Sequence, residues 1–365
     1  MAKLHFFLAE PADDAALRAL LRRNVMQGDI AVTFRREPSY FHAAAVQGRV
    51  AEVYKGVDAA SGALAGLGGR FRLPAYVNGV CTDIGYLADL RVEAAYRSGL
   101  GLRRAYDFLR ARHACDPLPY YTTLILQGNQ AALKVLAANR AGLPPYRPQG
   151  RVHTPMLILG LPKAAIHLPG IRIAPAQPAE AAEVFAFINR EHARRQCAPH
   201  YEVADMHNGR LRGLRMEDIW LARRNGELVG TLALWDQHAF RQIHVEAYGG
   251  HWRWLKPLYN GLCRLTPLQA LPQPGDSLRC AYAALAAVAD DDAAVFAALL
   301  RTLYRHASRG PWHYLTVALH ERDPLLPVLS AYRRIDAGGH LFTVEFDDNA
   351  PPLDGRVPYV EAGAL

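Results

Sequence analysis

Residues 86–112, YLADLRVEAAYRSGLGLRRAYDFLRAR, constrain the chain more than any other stretch. They read as the end of an apolar strand, a turn with glycines at 99 and 101, and a long basic amphipathic helix. A chain passing from strand to helix through Arg97-Ser98-Gly99-Leu100-Gly101 can aim several backbone N–H groups at one spot. That spot lies on the positive end of a helix dipole and suits an anion such as a phosphate. Glycine there permits positive φ and close approach of a ligand.

The chain is 365 residues long, which favours two domains, each able to bury a core without disulfide staples. The formal net charge is +8, and most of the positive charge is arginine spread along the sequence. The clearest cluster, Arg97, Arg103, Arg104, Arg110 and Arg112, adjoins the glycine turn. A polyanionic small molecule accounts for that cluster as well as a nucleic acid does, and nucleic acid is not expected as a partner. No apolar run reaches the roughly 18 residues of a membrane span, and no membrane partner is expected. The start, MAKLHFFLAEPADD, lacks a signal-peptide pattern. The five cysteines (Cys81, Cys115, Cys197, Cys263 and Cys280) are far apart and never in a C-x-x-C pair. They read as reduced thiols, so a cytoplasmic location is expected. The histidine-bearing stretch of His192, Cys197, His200 and His207 matches no common zinc spacing, and no metal is expected.

Hydrophobic periodicity and turn signals predict the following order. A strand at 3–9 leads to helices at 13–24 and 38–46. Strands follow at 49–57, 63–73 and 80–92, then a helix at 99–115, a strand at 121–126, a helix at 129–140 and a strand at 153–161. After a proline-bearing linker a similar order begins again. It has a strand at 171–174, a helix at 179–195 and a hairpin of 218–224 with 227–235 through Asn225-Gly226. A strand at 278–288, a helix at 293–308, a strand at 314–320, a helix at 325–333 and a strand at 340–346 complete it. Gly226-Glu-Leu-Val-Gly230 echoes Gly62-Ala-Leu-Ala-Gly66 at the matching place. The chain thus reads as a duplication with low internal identity. The second copy carries an aromatic insertion at about 240–276, suited either to lining a substrate pocket or to stapling the halves together.

Three features within the first 160 residues carry a resemblance. They are Leu90-Arg91-Val92 at the end of a strand, Arg97 with Gly99-Leu100-Gly101 after it, and Asn129-Gln-Ala-Ala132 opening the helix after the next strand. In order and spacing they resemble the GNAT superfamily of acyl-CoA-dependent N-acyltransferases. The resemblance implies an α/β fold (an α+β mixed sheet) of two tandem GNAT-like domains, each a mixed, mostly antiparallel sheet flanked by helices. These would be a catalytic domain at 1–161 and a degenerate one at 170–349, followed by a tail at 350–365. It implies an N-acetyltransferase that moves an acetyl or short acyl group from acetyl-CoA to a primary amine of a small molecule or peptide. Leu90, Arg91, Val92, Tyr96, Arg97, Ser98, Gly99, Leu100, Gly101, Leu102, Arg103, Asn129 and Ala132 would hold the acetyl-CoA. The turn is one residue shorter than usual in that family, so either Tyr96 or Arg97 stands at the diphosphate-binding arginine position. The tyrosine that often protonates the leaving thiolate is missing: its position falls near Leu136 or Ala138. Two alternatives follow, a non-catalytic acyl-CoA sensor or scaffold and a long-chain acyltransferase fed by an acyl carrier protein.

Attack on a thioester needs a neutral amine, a base and an oxyanion donor. The strand ahead of Leu90 supplies three candidates for proton transfer, Asp83, Tyr86 and Asp89, with Tyr86 at the offset of the base in several family members. Asn129 suits a helix N-cap equally well. In the second copy the turn reads Ala289-Asp290-Asp291-Asp292. Carboxylates stand where a diphosphate would sit, so that half is expected not to bind CoA in this mode.

Overall fold

In the computed structural model the described residues are 3–97, 100–137, 142–266, 268–347 and 350–365. The chain begins with β1 (Leu4–Leu8), α1 (Asp14–Arg23), β2 (Ile30–Arg35), α2 (Tyr40–Ala44), β3 (Val50–Asp58), β4 (Leu64–Val77) and β5 (Val80–Val92). It continues through α3 (Gly101–Cys115), β6 (Tyr121–Leu126), α4 (Gln130–Leu136), β7 (Tyr146–His153), β8 (Met156–Ile158), β9 (Ile171–Pro175) and α5 (Ala181–His192). Next come β10 (Ala198–Pro199), β11 (Ile219–Arg224), β12 (Glu227–Asp236), β13 (Gln242–Tyr248), α6 (Trp252–Cys263) and β14 (Ser277–Leu278). The last elements are β15 (Cys280–Val288), α7 (Ala293–Ala307), β16 (Tyr314–Val317), β17 (Leu319–His320), β18 (Arg334–Ile335) and β19 (Gly338–Val344).

Among the described residues the strands form three sheets. The first runs β1-β3-β4-β5-β6-β19-β7-β17 with β10 against β4, and the second runs β18-β8-β16-β15-β12-β11-β9. A small third sheet, β14-β13-β2, joins the insertion to the first half. Both large sheets are mostly antiparallel with one parallel pair near the centre, β5 with β6 and β15 with β16. This is the mixed architecture expected. Helices cover the faces because their apolar positions repeat at helical spacing. In α3 the buried residues are Ala105, Tyr106, Leu109 and His113. In α7 the stripe runs from Val295 through Leu299 and Leu303 to Ala307, and Asp292 caps the helix by accepting from the amides of Ala294 and Val295.

The duplication is visible in register. In the first sheet Gly66 faces Val92, and in the second Gly230 faces Val288. The two glycines whose surroundings echo in sequence therefore occupy the same place.

Several local expectations are corrected. The strand expected at 340–346 to close the second half lies instead between β6 and β7 of the first sheet. The stretch expected as one strand at 153–161 divides, and β8 pairs with β16 in the second sheet. The two halves thus exchange strands, which pairs edges that each sheet would otherwise leave open. The stretch 325–333 forms only short 3-10 turns over Leu326–Ala331, with Pro327 in the first turn. Strand β2 was not foreseen, because its partner is β13 of the insertion, more than 200 residues away in sequence. Cys81, on β5, is exposed. The tail has no regular strand yet is well tied: the amide of Tyr359 donates to Gln196 O at 2.9 Å, and that of Gln196 to Val357 O at 2.9 Å.

Candidate functional site

The site grows from a fault in one strand pair. Along β4 and β5, Leu67 faces Arg91 but Gly69 faces Ala88, so Asp89 and Leu90 together oppose Gly68. This is a β-bulge, which bends the strand and raises its twist. Asp89 takes the left-handed conformation, φ 62°. Gly68 is required opposite it, since a Cβ there would sit 2.2 Å from the Tyr54 hydroxyl. The parallel pairing of β5 with β6 holds only at Gly85 and Tyr86. One step on, the Thr123 hydroxyl donates to Leu87 O at 2.7 Å, while β6 stays paired on its other edge with β19 as far as Leu126. The strands therefore part just where β5 bulges and α3 is about to begin.

The residues expected at the coenzyme turn fall around this opening, although Ser98 and Gly99 lie outside the described residues. Leu90 and Leu102 pack on the cluster of Tyr54, Leu87, Tyr106 and Leu109. Arg91 donates to Leu90 O at 3.0 Å. Arg97, exposed at the turn, donates through Nε to Val92 O at 3.1 Å. Tyr96 closes a short 3-10 turn, Ala94–Tyr96, directly ahead of Arg97. Leu100 is exposed. Gly101 has a packing reason: a Cβ would stand 2.9 Å from Leu4 Cδ1. Arg103 is exposed, and among the described residues it has no carboxylate partner. Arg112 of the same cluster is used internally, paired with Glu52, and Arg110 lies over the Phe346 ring. Asn129 caps α4, its Oδ1 accepting from the Ala132 amide at 3.1 Å, so its NH2 group is left to the surface. Leu136 is buried in the core, and Ala138 lies outside the described residues.

The three proton-transfer candidates do not converge. Side chains on a strand alternate between faces. Tyr86 shares its face with Phe71, ring centroids 6.1 Å apart. Asp83 points to the other face, exposed, with Arg72 Nε 3.8 Å away. Grouping Asp83 with Tyr86 is therefore corrected by strand parity. Asp89 lies near Tyr86 but is held: it pairs with Arg36, which is 5% exposed, and accepts from the Tyr40 hydroxyl at 3.1 Å. Burial, and then the charge of Asp89, push the Tyr86 phenol up to about 12. It stays a neutral donor at ordinary pH rather than a phenolate base. Arg241 also bears on this cluster. Burial first, and then Arg36, lower its pKa.

Tyr86 looks into a cleft of about 540 Å³, part of it open to solvent, between the first sheet and the tail. Its walls are mostly apolar, including Leu73, Ile84, Leu124 and Leu341. Burial pushes the Cys197 thiol on its wall up to about 12, so it acts as apolar lining. Sequence reasoning missed three polar groups here. Gln47 lines the cleft and accepts from Arg36 Nη2 at 3.1 Å, while its buried Nε2 and Arg36 Nη1 have no hydrogen-bond partner among the described residues. Arg241 holds the tail at the cleft, donating to Gly363 O at 2.9 Å and to Leu365 O. Nothing in the local pattern of Arg36, Gln47 or Arg241 marks them. Only the β2–β13 pairing, with Gln242 opposite Arg35, draws Arg36 and Arg241 towards one another.

The second half repeats the bulge and then fills it. Thr231 faces Ala287 and Ala233 faces Ala284, so Leu285 and Ala286 oppose Leu232. Leu285 has φ 51°. Its amide donates to Glu361 of the tail at 3.0 Å, and the Tyr359 hydroxyl donates to the same carboxylate at 2.9 Å. The following turn carries Asp290 and Asp291, both with φ 54°, and Asp291 is paired with Arg195, three residues past the end of α5.

No family model matches the chain, and no curated protein matches it by sequence. Solved structures share its fold. One is titled a GCN5-related glucosamine N-acetyltransferase region of a fungal multi-domain GH3 beta-N-acetylglucosaminidase. It aligns at TM-score 0.64 and 14% identity over 94% of this chain, which spans 38% of that one. Saccharomyces cerevisiae N-myristoyltransferase with bound myristoyl-CoA aligns at 0.62 and 11% identity, over 94% of this chain and 83% of that one. A GCN5-related N-acetyltransferase from Sphaerobacter thermophilus aligns at 0.54 and 13% identity, over 98% of each chain. The chain has the GNAT fold in tandem arrangement.

Proposed function

We propose that the protein is an acyl-CoA-dependent N-acyltransferase. Its first half would hold the active site and transfer an acetyl or other short acyl group to a primary amine. The observation that carries this reading is the Asp89–Leu90 bulge beside the parting of β5 and β6, with the start of α3 at the same end. A parted strand pair offers backbone groups to an extended ligand, and the helix start with Arg97 and Arg103 favours its phosphates.

Acyl-CoA supplies an activated thioester. What remains is to bring up a neutral amine and to hold the carbonyl oxygen as it gains charge. An alkyl amine with pKa about 10.4 is neutral in about one molecule in 2500 at pH 7, a deficit of roughly 4.6 kcal/mol. Two guanidinium groups, the buried Arg36 and the half-buried Arg241, act on the Tyr86 wall of the cleft. Positive charge and desolvation both disfavour an ammonium there, which lowers the cost of losing its proton. Tyr86, neutral, orients the amine by hydrogen bonding. Asp89 fixes Arg36 and Tyr40. Backbone N–H groups of Leu90–Val92 are the donors for the oxyanion. As the C–N bond forms and the C–S bond breaks, the amine proton leaves to water in the open part of the cleft, and CoA departs as the thiolate.

The apolar cleft wall favours a second reading, an acyl group longer than acetyl. A thiol-release assay with acyl-CoA of increasing chain length over an amine panel tests both. A rate that peaks at acetyl supports the first and a rate that rises with length the second. Binding of acyl-CoA with no thiol release for any amine would replace catalysis with sensing.

A further inference from the structure

Helix α6 turns one whole face to solvent. None of its residues is fully buried; Trp252 and Tyr259 are half-buried, while on the outer face Trp254 is 75% exposed, Leu258 74% and Leu262 51%, with Leu255 at 44% and Leu265, just past the helix end, at 86%. At about 100° per residue these five fall within a stripe about 100° wide. The stripe's orientation is fixed from behind. The Asn260 amide group exchanges hydrogen bonds with Leu271, at 3.0 and 2.9 Å, and Lys256 donates to Gln273 at 2.8 Å. Contiguous exposed apolar surface of this kind on a folded chain marks an interaction face.

The charges name the partner. Residues 249–266 contain no aspartate or glutamate but hold Arg253, Lys256 and Arg264. Arg253 and Arg264 return to the same flank of the helix within about 20°. An apolar stripe bearing a tryptophan, with a basic flank and no acid, has the make-up of a helix lying in the plane of an anionic lipid surface. A second copy of the chain would instead bring like-charged arginines together. The face is also the outward side of a single helix, not a groove shaped for a peptide.

We propose that α6 docks the protein on anionic membrane surfaces, with Trp254, Leu258 and Leu262 entering the headgroup boundary and Arg253 and Arg264 meeting lipid phosphates. No helix among the described residues is long and apolar enough to cross a membrane, and surface docking requires none. It departs from the sequence-based expectation of no membrane partner. The ribbon of β2 and β13 that carries α6 has Arg36 and Arg241 at its other end, so docking would set the cleft at a defined orientation to the lipid.

The test is flotation of the full chain with phosphatidylcholine vesicles, with and without phosphatidylglycerol, at low and high salt. Binding is expected only with phosphatidylglycerol, to weaken with salt, and to shift Trp fluorescence to the blue. Leu258→Asp, at a side chain that supports no packing, is expected to cut binding at least about tenfold with an unchanged melting temperature. Arg253→Glu and Arg264→Glu are each expected to cut it about fivefold or more. No binding to either vesicle, or binding that survives Leu258→Asp, would overturn the proposal. So would a wild-type dimer that Leu258→Asp dissociates while vesicles are ignored, since the face would then be a self-interface.

Discussion

Asp89 and Leu285 occupy the same position in two copies of one bulge, with φ of 62° and 51°. Each holds a left-handed conformation that disfavours a side chain by roughly 1 kcal/mol or more. Their surroundings differ. Asp89 is ringed by Arg36 and Tyr40 beside an open cleft, whereas the Leu285 amide is capped by Glu361. One duplication thus yields an open site and a sealed one.

The Arg36–Asp89 pair is expected to be needed for stability as well as for the site. Asp89→Ala leaves a buried guanidinium without its counter-ion and should cost about 3 kcal/mol or more. Adding Arg36→Met should return a good part of that loss. Urea midpoints for wild type, both single variants and the double variant check this. Additive losses would show that the pair is not coupled.

Tyr86→Phe is expected to leave the melting temperature nearly unchanged, because among the described residues its hydroxyl makes no hydrogen bond that supports the fold. Acyl transfer should fall about 10- to 100-fold. Because the phenol is pushed up to about 12, the wild-type pH–rate profile should show no limb from Tyr86 below that value. An equally active Tyr86→Phe would reduce the residue to lining.

His192 gives a pH signature. Burial lowers its pKa from 6.5 to about 4. The unfolded chain therefore takes up this proton between pH 6.5 and 4 while the folded chain does not, and stability falls as pH drops through that window. The contribution is on the order of 3 kcal/mol. The difference between wild type and His192→Gln in urea midpoints at neutral pH and near pH 4.5 isolates it. A difference that does not change with pH contradicts the assignment.

Glu361→Ala should destabilise the fold by about 1–3 kcal/mol, since it strips an acceptor from the buried Leu285 amide. It should not create a second coenzyme site, because Asp290–Asp292 still crowd the helix start with negative charge. Calorimetry is expected to give one acyl-CoA per chain before and after the change.

Much of the framework was legible in the sequence because it rests on local signals. The helix that begins at Gly101, the Asn129 cap and the Gly62–Gly66 echo are short-range patterns. The exchange of β8 and β19 was not, because strand partners are chosen by edges that close only once both sheets exist. Tyr86, Asp83 and Asp89 were candidates by their place ahead of Leu90, but Asp83 differs from Tyr86 in strand parity and points away from the cleft. Arg36, Gln47 and Arg241 reach the cleft through the long-range pairing of β2 with β13, which no local pattern encodes. The tail carries no periodic signal in the sequence, yet Glu361 and Tyr359 give it a fixed place.

The most direct test of the central claim is titration calorimetry with acetyl-CoA and a longer acyl-CoA on wild type, Arg97→Glu and Arg103→Glu. The account predicts binding at one site per chain and a loss of about tenfold or more for each charge reversal, with unchanged melting temperatures. Absence of binding, or binding untouched by both reversals, would contradict a coenzyme site at the start of α3.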